Sequence, residues 1–119
     1  MTLPDNAALE LNRTYPNVRS NRGGAYIWSK RTAMGLSQEE LRKAINDKFG
    51  EKMAAGLVSK YETGKTYPSE SFLCKARIVL KLSAAEYDAL VNLVASDMLL
   101  NFKMRIKEME DVYRDHLSK

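Results

Sequence analysis

The side chains best suited to bind a ligand lie beside predicted helix ends. Ser37 and Gln38 stand at a predicted helix start, where unpaired backbone amides favour an anion. Lys65 follows Gly64, a residue type that commonly ends helices, so its ammonium group is expected to be exposed beyond a helix end. Ammonium groups and helix-start amides are common phosphate-binding groups in nucleic-acid complexes. These residues therefore predict a phosphate-bearing partner.

Residue types that carry out catalysis are sparse. The only histidine is His116, near the C-terminus, and the only cysteine is Cys74. We find no Cys/His metal spacing, no nucleophile–base set and no glycine-rich phosphate loop. We therefore expect a protein that is not an enzyme and needs no metal or cofactor. A lone cysteine fits the reducing cytoplasm, and the chain shows neither a membrane-length apolar stretch nor a signal peptide.

Positive charge is concentrated in the part of the chain that carries these residues. Residues 1–82 hold 14 Lys/Arg and 8 Asp/Glu, whereas residues 83–119 hold 5 and 7. The overall charge of +4 thus combines a balance of +6 with a balance of −2. A basic surface attracts nucleic acid, although many basic faces are only solvated.

Helical patterns account for most of the sequence after residue 24. We expect Pro4, Pro16 and Gly23-Gly24 to keep residues 1–24 irregular. Helices are predicted over 25–34, from a Ser37/Glu40 capping box to Gly50, up to Glu62 with a stop at Gly64, and from a Ser69 cap. Trp28 and the methionines are expected in the core. No segment alternates as a strand does, so the predicted fold is all-α.

A long apolar stripe follows a second capping box, Ser83 with Glu86. One long helix, or two helices broken near Ser96-Asp97, would put its members on one side. Folding back over the same chain and pairing with a second copy both explain the stripe, and we favour a homodimer. The residues expected at that interface are Val91, Val94, Met98, Phe102, Ile106, Met109 and Tyr113.

Three short runs carry a family resemblance. They are Leu36–Leu41 (LSQEEL), Val58–Lys65 (VSKYETGK) and Pro68-Ser69. Together they resemble the helix-turn-helix domain of lambdoid phage repressors, Cro proteins and XRE-like regulators. The resemblance implies a bundle of about five helices, here with a long C-terminal helical extension. It also implies that Arg31 and Glu62 form an internal ion pair.

The resemblance places the third predicted helix in the DNA major groove and the loop after it on the phosphate backbone. The resemblance, counted back from Glu62, puts the base-reading positions of this helix at Ala54, Ala55, Gly56, Ser59 and Lys60. Guanine is the natural partner of Lys60. The segment Asn46–Met53 is longer than is common in the family, so we expect an extended second helix and a longer turn. The expected DNA contacts are Ser37, Gln38, Lys52, Ala54, Ala55, Gly56, Ser59, Lys60, Lys65, Thr66 and Tyr67.

The sequence thus predicts three parts: an N-terminal arm (1–24), a DNA-binding domain (25–83) and a C-terminal dimerisation region (84–119). The first functional hypothesis is a homodimeric transcriptional regulator of phage, plasmid or mobile-element type, binding a palindromic double-stranded operator as a repressor. The alternative is an antitoxin-type or other interaction protein whose C-terminal helix binds a protein partner.

Overall fold

The computed structural model describes residues 20–117, and all regular structure in that range is helical. The predicted all-α class is confirmed. The predicted arm lies outside the described residues except for residues 20–24. The helices are α1 (Arg22–Ala33), α2 (Gln38–Phe49), α3 (Leu57–Thr63), α4 (Glu70–Val79), α5 (Ala84–Val112) and α6 (Arg114–Leu117).

Local sequence signals set most helix ends. Both predicted capping boxes form: the Ser37 hydroxyl accepts a hydrogen bond from the Glu40 amide, and Ser83 does the same for Glu86. The Glu side chains bond back to the cap amides. Gly50 and Gly64 end α2 and α3 in the left-handed conformation, at φ +63° and +78°. A glycine adopts this conformation without the strain that a side chain would add.

The expectation that Gly23-Gly24 prevents a helix from forming is wrong. Both residues lie in the first turn of α1, which begins at Arg22. A Cβ on Gly23 would meet the Val94 side chain at 2.5 Å, and one on Gly24 would meet the Tyr61 carbonyl oxygen at 2.3 Å. The two glycines therefore let α1 approach α5 and α3 closely, a tertiary requirement that local propensity does not reveal.

The core lies among the first five helices. Tyr61 of α3 and Phe72 of α4 contact each other with ring centroids 4.6 Å apart. The expected core positions of Trp28 and of four methionines, Met34, Met98, Met104 and Met109, are wrong, because these side chains are between 39% and 56% exposed. Residues that are almost completely shielded from solvent fill the centre, among them Ile27, Leu41, Ile45, Val58, Ala76 and Leu90.

Helix α5 runs antiparallel to α1. Lys30, near the end of α1, pairs with Glu86, at the start of α5, and Gly23 at the start of α1 meets Val94. The alternative of a break at Ser96-Asp97 does not occur, since α5 continues to Val112. No helix within residues 20–117 is long and apolar enough to cross a membrane.

Candidate nucleic-acid interface

A buried ion pair fixes α1 against α3. The Arg31 guanidinium donates to both carboxylate oxygens of Glu62, each at 2.7 Å. Its third nitrogen donates to the Leu36 carbonyl at 2.8 Å, just before α2. Arg31 and Glu62 are 7% and 2% exposed. The predicted pair is therefore present. It links the residues just before α2 to α3.

Gln38 extends this network. Its side-chain amide donates to the Glu62 carboxylate at 3.0 Å. Gln38 was expected to contact DNA, but here its side chain links the first turn of α2 to α3. Ser37 likewise uses its hydroxyl as the helix cap. Both side chains therefore fix the geometry of α2, while Ser37 is exposed and Gln38 is half-buried.

The connection between α2 and α3 is held by two side chains of α2. Arg42 donates to the Met53 carbonyl at 2.8 Å, and the Asn46 side-chain oxygen accepts from the Met53 amide at 2.9 Å. Arg42 also pairs with Glu39, and this hydrogen bond lowers the pKa of the Glu39 carboxyl. Sequence reasoning missed Arg42 and Asn46, although the Glu39/Arg42 spacing is a recognisable helix pair.

The long connection has one consequence for the expected base-reading residues. Helix α3 begins only at Leu57, so Ala54, Ala55 and Gly56 lie in the exposed turn before it and not on the helix. The expected placement of these residues on the third predicted helix is therefore wrong. A glycine in the left-handed conformation, Gly56 at φ +84°, precedes the helix. Lys52 is exposed in the same connection.

The exposed part of α3 is short. Lys60 is exposed and Ser59 is half-buried, while Val58 and Tyr61 face the core. Val58 and Ser59 also line a small cleft of about 110 Å³. The first turn of α2, through Gln38 and Glu39, lines the other side of this cleft. The exposed edges of α2 and α3 therefore lie next to each other.

The loop after α3 is fastened to α5. Lys65 and Thr66 are exposed, and their backbone amides bond to the Lys60 carbonyl. Tyr67, a further predicted contact, is half-buried, and its hydroxyl oxygen accepts a hydrogen bond from the Asn101 side chain. Asn101 also donates to the Ser20 carbonyl at 3.2 Å. The loop position thus depends on α5, which the sequence patterns did not indicate.

The buried carboxylate of Asp97 links α5 to the start of α1. Asp97 of α5, 2% exposed, accepts from the Gly23 amide at 2.7 Å and from the Ser20 hydroxyl at 2.6 Å. Arg22 lies 3.5 Å from it. Asp97 therefore caps α1 from another helix, which neutralises the positive N-terminal end of the α1 dipole. No spacing within α1 could have predicted this cap.

Within residues 20–117 no group of three His, Cys, Asp or Glu side chains is arranged to hold a metal ion. The arrangement holds α2 and α3 side by side, with the exposed lysines Lys52, Lys60 and Lys65 on or next to α3. Comparison of the chain with protein-family models, curated proteins and solved structures gives no match.

Proposed function

We propose that this protein binds double-stranded DNA as a helix-turn-helix transcriptional regulator, with α3 facing the major groove. The observation that carries the proposal is the Arg31–Glu62–Gln38 network, which holds α2 and α3 in fixed relation while Lys60 points to solvent. An α-helix fits the major groove, and a preceding helix can brace against the backbone.

Charge and local geometry support the same assignment. Lys52 and Lys65 lie before and after α3 and are exposed. In this proposal they contact phosphates on either side of the groove, while Lys60 reaches a base edge. The start of α2 meets the backbone through its unpaired amides. The function is then binding, with no chemical step.

The test is the salt dependence of duplex binding, measured by fluorescence anisotropy on the full chain. Binding should weaken steeply with salt, because each neutralised phosphate releases counterions. Lys65→Ala should weaken specific and random duplex alike and make the log–log slope shallower by about one. Lys60→Ala should cost about 1–3 kcal/mol on a selected operator and relax preference at one base pair.

Lys107→Ala is the matched control, since Lys107 is exposed on α5 away from the proposed interface and loses the same charge. It should bind as the parent does. Binding that does not depend on salt, or equal effects of all three substitutions, would contradict the proposal.

A second candidate is a protein-interaction module that uses the end of α5. It is favoured by exposed apolar residues there, including Phe102 at 54% and Met109 at 56%. If this is the chain's sole function, duplex binding would be absent while a purified partner protein would bind α5. The two candidates are compatible within one chain, because they use different surfaces.

A further inference from the structure

The second half of α5 carries an apolar face that the rest of the described chain does not cover. Asn101 is the last buried residue of the helix, and residues 102–116 are exposed. Steps of three and four residues put five large apolar side chains on one side of the helix. Leu99, Leu100, Met104 and Val112 are also exposed but lie outside this row. We call this face the α5 stripe; its members are Met98, Phe102, Ile106, Met109 and Tyr113, between 45% and 56% exposed.

The stripe also contains a groove. Ile106, Met109, Glu110, Tyr113 and His116 line a space of about 360 Å³, and the rings of Tyr113 and His116 lie 5.9 Å apart. Phe102 projects from the same helix face one turn earlier, so it cannot fill the groove of its own helix. An aromatic side chain from another molecule can.

We propose that two copies of this chain pack their α5 stripes antiparallel, crossing near Ile106. Phe102 of each copy then enters the groove of the other. Such a two-fold interface is self-complementary, so each contact occurs twice. The inference does not depend on DNA binding; it adds the orientation of the two copies, which sets the spacing of the two α3 helices in a dimeric regulator.

The charges beside the stripe distinguish antiparallel from parallel packing. At about 3.6 residues per turn, Lys103 and Glu110 lie along one edge of the stripe, and Arg105 and Glu108 lie along the other. In an antiparallel two-fold pair, each edge meets the same edge of the second copy in reverse order. Lys103 then faces Glu110, and Arg105 faces Glu108. Every facing pair has opposite charge.

A parallel pair brings the two different edges together at the same height. Lys103 then lies beside Arg105, and Glu108 lies beside Glu110. Facing like charges oppose association. The charge pattern therefore favours the antiparallel arrangement, while the stripe itself supplies the apolar area.

The size of the stripe sets the expected affinity. The stripe covers about four turns of one helix. Its area is therefore smaller than the roughly 800 Å² that each partner buries in a standard stable interface. We therefore expect dissociation in the micromolar range, with both copies folded before they associate.

A charge-swap experiment on the full chain tests the orientation. Sedimentation equilibrium without DNA should show Lys103→Glu and Glu110→Lys each weakening the dimer about tenfold, because each single change puts like charges opposite one another twice. The double variant should restore the parent dissociation constant. Residues 103 and 110 are too far apart on the helix to interact directly within one chain.

A pair of truncations tests the contact itself. Phe102→Ala should abolish the dimer at tens of micromolar, whereas Leu100→Ala, on the opposite side of the helix and 42% exposed, should leave it intact. Both should keep the parent helical content, since neither side chain is in the core.

Three results would overturn the antiparallel pair: single charge variants that dimerise more tightly, a Phe102→Ala variant that dimerises normally, or a parent chain that stays monomeric at tens of micromolar. A monomer that still binds duplex would leave the DNA proposal standing. A monomer whose α5 binds a different protein would assign the stripe to the second candidate function.

Discussion

The two halves of α5 have similar apolar spacing and very different surroundings. In the first half Leu90 and Val94 are 0% and 4% exposed and pack against the core, with Val94 touching Gly23. In the second half Phe102 and Met109 are more than half exposed. A periodic apolar pattern therefore shows that one side of a helix is apolar. It does not show whether that side packs against the same chain or against another molecule.

One predicted contact of the dimer interface is wrong. The apolar pattern predicts Val94 at the dimer interface together with the α5 stripe, yet Val94 lies in the protein's own core. Val91 is half-buried, so it also lies nearer the body than the later residues. The surface available to a partner begins near Met98, where contact with α1 ends.

The largest expected effect comes from the same substitution made once in the protein core, Glu62→Gln in α3, and once on the exposed end of α5, Glu110→Gln. Glu62→Gln leaves the buried Arg31 charge without its counter-ion and should lower the free energy of unfolding by about 3–5 kcal/mol. Glu110→Gln should change it by less than about 0.5 kcal/mol at submicromolar concentration, where the chain is monomeric. Urea denaturation followed by circular dichroism measures both free energies of unfolding. Equal losses in the two variants would contradict the difference expected between the core and the exposed end of α5.

A second paired substitution compares apolar residues of the same helix. Leu90→Ala removes a fully buried side chain and should cost about 2–5 kcal/mol, from lost burial and the cavity left behind. Phe102→Ala should cost almost nothing when unfolding is measured at submicromolar concentration, where the chain is monomeric. A large loss for Phe102→Ala under those conditions would mean that the second half of α5 folds against its own domain.

The smallest effect concerns acid pH at the start of α5. The hydrogen bond from Lys30, together with that from the Ser83 amide, lowers the pKa of Glu86 from 4.5 to about 2. Because the folded-state value is below the unfolded one, this stabilisation is present above pH 4.5 and is lost as pH falls toward 2. Glu86→Gln should flatten that part of the stability–pH curve.

Glu110→Gln again serves as the control for Glu86→Gln, since the same chemical change on the exposed end of α5 should leave the acid limb unaltered. An acid limb that is identical in the parent and Glu86→Gln chains would remove the Lys30–Glu86 pair as its cause.

Much of the helical layout was predictable because its signals are local. The Ser37/Glu40 and Ser83/Glu86 boxes depend on residues three apart, and Gly50 and Gly64 act on the turn in which they lie. The start of α1 was not predictable in this way. Its cap is Asp97, more than seventy residues away, and its glycines are explained only by the contacts with Val94 and Tyr61.

In the proposed DNA interface, too, some features were predictable from the sequence and others depend on contacts between distant segments. The Arg31–Glu62 pair was predicted from the family resemblance, and the structure contains it. The start of α3 at Leu57 was missed, because Arg42 and Asn46 hold Met53 and extend the connection. The inward position of Tyr67 was missed as well, since its partner Asn101 belongs to a helix that the motif does not include.

The sequence by itself determined the all-α class, the capped helix starts of α2, α4 and α5, the glycine stops and the basic character of the first two-thirds of the chain. Only the tertiary structure decided which apolar residues are core, how α2 and α3 are held, and where α5 leaves the body. The physical reason is that caps and turns involve neighbours in sequence, whereas burial and buried hydrogen bonds depend on which distant segments meet.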